Sequence, residues 1–132
     1  MDLLLTNVLV FDGEGPGLFR GEVRLSGRRI VAVARGGERL DRAQAAVVDG
    51  RGMTLMPGLV EAHSHLTFPS AVDRIVRTTL PPAEQHQFIA LHNARVLLDH
   101  GFTSCFSGGA TRPAIEVALR DEIDGGWLRP GR

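Results

Sequence analysis

Two histidines, His63 and His65, stand one residue apart in the segment "LMPGLVEAHSHL" at positions 55–66. Alternate residues of a β-strand point to the same face, about 6.5 Å apart along the chain, so both imidazoles are predicted to share one side of a strand. They fall where that strand should end, which is the end at which parallel β/α folds build their sites. Two neutral imidazoles in that arrangement can bind one Zn, Fe, Mn or Co ion.

The spacing alone leaves a second interpretation open, because two histidines at this interval also occur at a solvated strand end. The Pro57-Gly58 entry and the apolar run ahead of the pair favour a metal site. A catalytic zinc usually takes three protein ligands and a water molecule. The pair alone therefore predicts an incomplete metal site.

The remaining candidate groups carry weaker signals. His86, His92 and His100 lie six and eight residues apart in a predicted helix, whereas neighbours on a helix surface are three or four residues apart; we interpret them as surface or helix-end histidines. Cys105, in "FTSCF", is predicted to be a small buried apolar residue. The glycine-rich "FSGGA" at 106–110 is either an anion-binding loop or, as we favour, a tight strand-to-helix loop.

The sequence of residues 1–57 predicts strands separated by glycine-rich turns. Residues 2–11 predict a strand, and a hairpin follows in which apolar and charged residues alternate on either side of Gly27. Short strands are predicted at 46–49 and 53–56. We therefore expect residues 1–57 to form an antiparallel β module, part of a β-sandwich.

The pattern changes to β/α units after Pro57. The strand that carries the histidine pair is expected to be short and mostly buried. A helix is predicted in "PPAEQHQFIALHNARVLLDHG", with prolines at its start and Gly101 at its end. Its predicted apolar stripe comprises Phe88, Leu91, Arg95 and Leu98, with Ile89 and Ala94 beside it.

A second unit follows the first. "FTSCFSGG" predicts a strand, and "TRPAIEVALRDEIDGG" predicts a helix with Thr111 as its N-cap and Pro113 in its first turn. The apolar face of this helix is predicted to comprise Ile115, Ala118, Leu119 and Ile123. "WLRPGR" would begin a third strand.

This order predicts an α/β protein with a parallel sheet over residues 58–132. Two to two-and-a-half β/α units cannot close a (β/α)8 barrel, which needs about 200 residues or more. We therefore expect residues 58–132 to hold the start of an incomplete barrel.

Composition excludes several classes of partner. Fifteen basic residues balance fifteen acidic ones, and 43% of the residues are hydrophobic, so the totals predict neither a nucleic-acid surface nor an anionic-membrane surface. The apolar N-terminus contains Asp2 and lacks the basic region of a signal peptide, and no apolar run approaches the roughly 20 residues of a membrane span. With a single cysteine, the expected location is the cytoplasm.

Several segments together resemble the start of amidohydrolase-superfamily enzymes. These segments are "LLLTNVLVFDGEG", "LMPGLVEAHSHL", "NARVLLDHGFTS", "SGGA" and "LRDEIDGGWLRPGR", in that order. The chain is most similar to the prolidase-like and imidazolonepropionase-like branch. Its members begin with a small β-sandwich, and "PGL(V/I)-x-x-H-x-H" is strand 1 of their (β/α)8 barrel. This chain departs from the family in having "SCFSGG" where relatives often carry Arg-Asp before the glycines.

The resemblance implies a site that the chain fills in part. His63 and His65 match the strand 1 metal ligands, whereas the family's Lys or Glu of strand 4, histidines of strands 5 and 6 and Asp of strand 8 have no match here. No catalytic residue is therefore assigned. The substrate-binding residues are unknown, although two loops can touch substrate: the loop at 66–80, with Phe68, Asp73 and Arg74, and the loop after strand 2 of the barrel.

The implied chemistry is hydrolysis of a non-peptide C–N bond or a dipeptide-like amide in a small molecule by metal-activated water. The implied cofactor is one or two divalent metals, with zinc expected. We expect the isolated 132 residues to have no hydrolase turnover. Two other hypotheses stay open: a non-enzymatic β/α module that self-associates or complements a partner chain, and a metal-binding protein without catalysis.

Overall fold

The computed structural model describes residues 2–69 and 81–128. The chain divides into two compact units, Met1–Pro57 and Gly58–Arg132. Each unit has its own sheet and its own apolar cluster. Among the described residues, no helix is both long enough and apolar enough to cross a lipid bilayer.

The first unit is a five-stranded sheet in the order β3-β2-β1-β4, with β5 also paired to β1. Its strands are β1 (Asp2–Val10), β2 (Phe19–Ser26), β3 (Arg29–Arg35), β4 (Ala45–Asp49) and β5 (Thr54–Leu55). The predicted hairpin is confirmed as the antiparallel pair β2–β3, and Gly27 takes the positive φ of its turn (56°).

The sheet is mixed, which differs from the expected antiparallel module. Strands β4 and β5 both run parallel to β1, β4 beside Asp2–Thr6 and β5 beside Leu9 and Val10. The chain returns between β3 and β4, so that β4 starts at the same end of the sheet as β1. A short turn separates the two segments, where the backbone N–H groups of Gly50 and Gly52 donate to Thr6 and Asn7 at 2.8 and 2.7 Å.

The first unit contains a small apolar cluster and a buried carboxylate. Val8, Val10 and Val23 are buried together, and Glu22 is only 2% exposed. The Nη1 atom of Arg39 donates to this carboxylate at 2.7 Å, and the Leu40 backbone N–H donates at 2.8 Å. These two hydrogen bonds lower the pKa of Glu22 below its ordinary value, and the one from Arg39 has the larger effect.

The second unit has the order strand, helix, strand, helix. Its elements are β6 (Leu59–Ser64), α1 (Ala83–Asp99), β7 (Phe102–Ser107) and α2 (Pro113–Asp124). Strands β6 and β7 pair in parallel, from Leu59↔Phe102 to Ser64↔Ser107. A β-rich N-terminal sheet followed by β/α units confirms the predicted α/β class.

The two helices of this unit begin at prolines, as predicted. Pro82 is the N-cap of α1, and Pro113 is the first residue of α2. The predicted N-cap of α2 is wrong by one residue: Arg112 takes that position and Thr111 lies outside the helix. Of the predicted third strand, Trp127 and Leu128 are not in a strand, and residues 129–132 lie outside the described part.

The helices pack through small and aliphatic side chains. Ala90 of α1 is buried with Ile115 and Leu119 of α2, so two residues of the predicted apolar face of α2 are confirmed in the core. The predicted stripe of α1 is wrong at Phe88, which is 73% exposed while His86 is buried. Leu91 and Ala94 pack against the core, as predicted.

Strands β6 and β7 are also more exposed than predicted. Val60 is 64% exposed, and Cys105, predicted to be buried, is exposed. The reason is that the described sheet of this unit has two strands, which leaves part of both faces uncovered.

Candidate metal centre

The end of β6 brings His63 and His65 together. His63 lies in β6 and His65 follows its last residue, Ser64, so that the two imidazoles emerge on the same side. Their Nε2 atoms are 3.2 Å apart. The ring centroids are 5.0 Å apart and the ring planes are inclined at 71°. Each ring therefore points the same nitrogen at a common location.

The separation of these nitrogens fits a shared metal ion. Two Zn–N bonds of 2.0–2.1 Å that span the observed 3.2 Å meet at an angle of about 103°. That angle is close to tetrahedral, which is the geometry zinc prefers in proteins. The donor set is also suitable, because neutral imidazole nitrogen is a good zinc ligand.

A backbone carbonyl fixes the tautomer of His65. The Nδ1 atom of His65 lies 2.7 Å from the carbonyl oxygen of Gly109. A carbonyl oxygen can only accept a hydrogen bond, so Nδ1 carries the proton and Nε2 of the neutral ring keeps a free lone pair. Metal-binding histidines commonly have this arrangement, with one ring nitrogen donating to a carbonyl or carboxylate.

The loop after β7 is shaped to admit both rings. A Cβ atom added to Gly108 would lie 2.5 Å from Nε2 of His63, which is closer than real Cβ contacts come. Gly109 has a φ of 143° and faces the ring of His65. The segment "FSGGA" is thus the tight strand-to-helix loop that we favoured, and its glycines accommodate the imidazoles.

Glu61 holds the backbone of the pair. It precedes His63 by two residues, and its Oε1 atom accepts a hydrogen bond of 3.0 Å from the His63 backbone N–H. Phe68 contacts the second histidine, with its ring edge-on to His65 at 4.9 Å between centroids. Within residues 2–69 and 81–128, no group of three His, Cys, Asp or Glu side chains is placed to hold a metal ion.

The other candidates lie elsewhere. His92 and His100 are exposed, as predicted. His86 is buried, which corrects the prediction of a surface residue; it is 1% exposed, and its Nδ1 atom lies 2.6 Å from the Thr111 hydroxyl. Asp73 and Arg74 of the predicted substrate loop lie outside the described residues.

Sequence reasoning singled out the loop that contains Gly108 and Gly109, but it missed the contacts of these glycines with the two histidines. The signal that could have found them is the parallel pairing itself, because the loops after neighbouring parallel strands meet at one edge of a sheet. Ser64 pairs with Ser107, so the residue after β6 lies beside the glycines that follow β7.

Two curated enzymes are similar to this chain in sequence. No family model matches the chain. A dihydroorotase of Leifsonia xyli subsp. xyli is 31% identical over 115 residues, which are 87% of this chain and 22% of that protein. An imidazolonepropionase of Stenotrophomonas maltophilia is 35% identical over 71 residues, or 52% of this chain and 17% of that protein.

Solved structures agree with these relatives. A prolidase complexed with N-methylphosphonate-L-proline superposes with a TM-score of 0.83 at 25% identity, over 98% of this chain and 30% of that chain. The chain matches the N-terminal portion of amidohydrolase-superfamily proteins. A Xaa-Pro dipeptidase with bound methionine shares the fold, with a TM-score of 0.81 at 23% identity over 98% of this chain and 31% of that chain.

These matches confirm the resemblance predicted from the sequence. The chain spans 22% and 17% of the two curated relatives and 30% of the solved prolidase. It thus corresponds to about a third or less of each of these amidohydrolase-superfamily proteins.

Proposed function

We propose that this chain supplies two metal ligands, His63 and His65, of a metal-dependent amidohydrolase. The observation that carries the proposal is the 3.2 Å separation of their Nε2 atoms, with the tautomer of His65 fixed by Gly109. The proposed reaction is hydrolysis of a non-peptide C–N bond or a dipeptide-like amide in a small molecule. Support comes from the similarity to an imidazolonepropionase, a dihydroorotase and a prolidase.

Each residue of the site has a role in this proposal. His63 and His65 hold the ion, Glu61 fixes the backbone of His63, and Gly109 keeps Nε2 of His65 available as a ligand. Zinc is the proposed metal, because two imidazoles at this angle suit tetrahedral coordination. A divalent ion bound there supplies Lewis acidity, which lowers the pKa of a water molecule and polarises a carbonyl group.

The two units have separate roles in the same proposal. Residues 1–57 would be a portion of the family's β-sandwich, and residues 58–132 the start of its barrel. The described residues offer no third ligand to the pair. We therefore expect the isolated 132 residues to bind metal weakly and to hydrolyse nothing. Metal-dependent hydrolysis of a Xaa-Pro dipeptide by the purified chain, abolished by His63→Ala, would refute this expectation of inactivity.

Zinc titration tests the ligand assignment. Purified protein without a polyhistidine tag is titrated with Zn²⁺ by isothermal calorimetry, alongside His63→Ala and His65→Ala. We expect each substitution to weaken zinc binding at least tenfold, since each removes one of two ligands. His92→Ala, which replaces an exposed histidine of α1, is the matched control and should bind as the parent does. Equal binding by all four proteins, or no detectable binding by the parent protein, would refute the assignment.

One observation favours the alternative of an association module. Val60 and Phe106, on the paired strands β6 and β7, are 64% and 72% exposed, and exposed apolar sheet surface tends to associate. Size-exclusion chromatography with light scattering decides between the two. A concentration-independent monomer near 14.3 kDa would argue against association, whereas an oligomer that Phe106→Gln dissociates would support it.

A further inference from the structure

The turn that follows His65 is tied down by side chains from both helices. The Nδ2 atom of Asn93, in α1, donates to the carbonyl oxygens of Leu66 and Phe68 at 2.7 and 3.0 Å. The Oε1 atom of Glu116, in α2, accepts a hydrogen bond of 3.2 Å from the Thr67 backbone N–H. A segment that would otherwise be a free loop thus has its backbone groups fixed.

Thr67 is the centre of this turn. It is fully buried, at 0% exposure, and its Oγ1 atom accepts a hydrogen bond of 2.8 Å from the Thr111 backbone N–H. The hydroxyl of Thr111 in turn lies 2.6 Å from Nδ1 of buried His86. Because His86 orients Thr111 and Glu116 orients Thr67, the link between the two threonines has a defined geometry.

This link continues the pairing of β6 and β7 past the ends of the strands. The Gly108 backbone N–H donates to the Ser64 carbonyl oxygen at 2.7 Å. Nδ1 of His65 then donates to the Gly109 carbonyl oxygen at 2.7 Å. The Thr111–Thr67 bond comes next, so the bond that fixes the His65 tautomer lies between two others.

We propose that Thr67 is a positioning residue for His65. Its buried hydroxyl holds the segment 109–111 at the spacing that lets the Gly109 carbonyl oxygen meet Nδ1 of His65. This inference rests on the proposed function, in which Nε2 of His65 is a metal ligand. Without the hydroxyl, the Thr111 N–H loses its partner in a buried location, and the loop has to shift to find another. The Gly109 carbonyl oxygen then moves with it.

A pair of substitutions at one position tests this role. Thr67→Val keeps the shape of the side chain and removes the acceptor, whereas Thr67→Ser keeps the acceptor and removes a methyl group. We expect Thr67→Val to weaken Zn²⁺ binding about 10- to 100-fold, the usual effect of losing an outer partner of a metal ligand, and Thr67→Ser to stay within a few-fold. Thr54→Val, at an exposed position of β5, is the matched control and should change nothing.

A second readout is independent of metal. ¹⁵N chemical shifts of the imidazoles report which ring nitrogen carries the proton. In metal-free protein His65 should be the Nδ1–H tautomer, as it should be in Thr67→Ser, whereas Thr67→Val should show a mixture. A merely structural threonine would lower the melting temperature and leave the tautomer unchanged, and that result would overturn the inference.

The two proposals fail separately. Absence of zinc binding by the parent protein refutes the metal site, and the tautomer measurement still decides the role of Thr67. Zinc binding by the parent that Thr67→Val leaves intact refutes the positioning role alone. Circular dichroism shows whether Thr67→Val is folded; if it is not, Thr67→Ala removes the same acceptor without adding an apolar group and carries the same two expectations.

Discussion

The Gly108→Ala variant should weaken zinc binding at the histidine pair while leaving the fold intact. The new Cβ atom would lie 2.5 Å from Nε2 of His63, whereas ordinary contact begins at 3.4 Å, so the ring has to move by about 0.9 Å. Movement along the line between the rings would open the 3.2 Å separation to about 4.1 Å. Two Zn–N bonds of 2.0–2.1 Å reach that span only when they are collinear.

The expected loss follows from that limit. Since zinc does not bind two imidazoles collinearly in a tetrahedral site, the ring has to return against the new methyl group or be lost as a ligand. We expect zinc affinity to fall about 10- to 100-fold, which corresponds to about 1.4–2.8 kcal/mol. Gly108 is not among the glycines with positive φ, so alanine suits its backbone and the effect comes from the ring.

A chelator competition assay measures this loss. Zinc is partitioned between the protein and a chromophoric chelator, and the affinities of the parent, Gly108→Ala and Gly37→Ala are compared. Gly37 also lacks a positive φ and has open space where the Cβ would be, so its alanine variant should match the parent. If Gly108→Ala binds zinc as tightly as the parent, the close approach of the loop to His63 does not shape the site.

Three further predictions concern stability and exposure. Hydrogen bonds lower the pKa of Glu22 in the folded protein. The ionised Glu22 carboxylate therefore stabilises the fold above the ordinary pKa of about 4.5, and this stabilisation is lost as the pH falls through the lowered pKa of the folded state. Urea unfolding should therefore show a loss below about pH 4.5 that Glu22→Gln reduces; an unchanged pH profile would contradict this. Leu119→Ala should cost about 2–5 kcal/mol in the same assay, since Leu119 is 8% exposed, and a change below 1 kcal/mol would argue against that core. Cys105 is exposed, so a thiol reagent should label folded and unfolded protein at similar rates; strong protection in the folded protein would refute that exposure.

Features that depend on neighbouring residues were predictable from the sequence. The prolines at the start of each helix act on their own first turn, and Gly27 acts on a two-residue turn. The same-side placement of His63 and His65 follows from the two-residue repeat of a strand. None of these needs knowledge of which distant segment lies alongside.

Features that depend on strand pairing were not predictable. The parallel position of β4 beside β1 requires knowing that the chain returns after β3. The burial of His86 requires knowing that Thr111 supplies its partner, since a histidine with a hydrogen-bonding partner can be buried where one without cannot. A search for apolar periodicity alone therefore placed Phe88 in the core and His86 outside it.

The spacing of the two histidines alone did not predict the geometry of the site, because the groups that set this geometry lie in the other β/α unit. Both histidines come from the β/α unit formed by β6 and α1. Most groups that shape or fix them come from the β/α unit formed by β7 and α2. Gly108 makes room for one ring, Gly109 sets the tautomer of the other, and Thr111 ties the turn beyond. These contacts meet because β6 and β7 end at the same edge. The relative position of the two imidazoles therefore depends on the register between β6 and β7. A change that shifts this register should alter the distance between the two Nε2 atoms even though both histidines are kept.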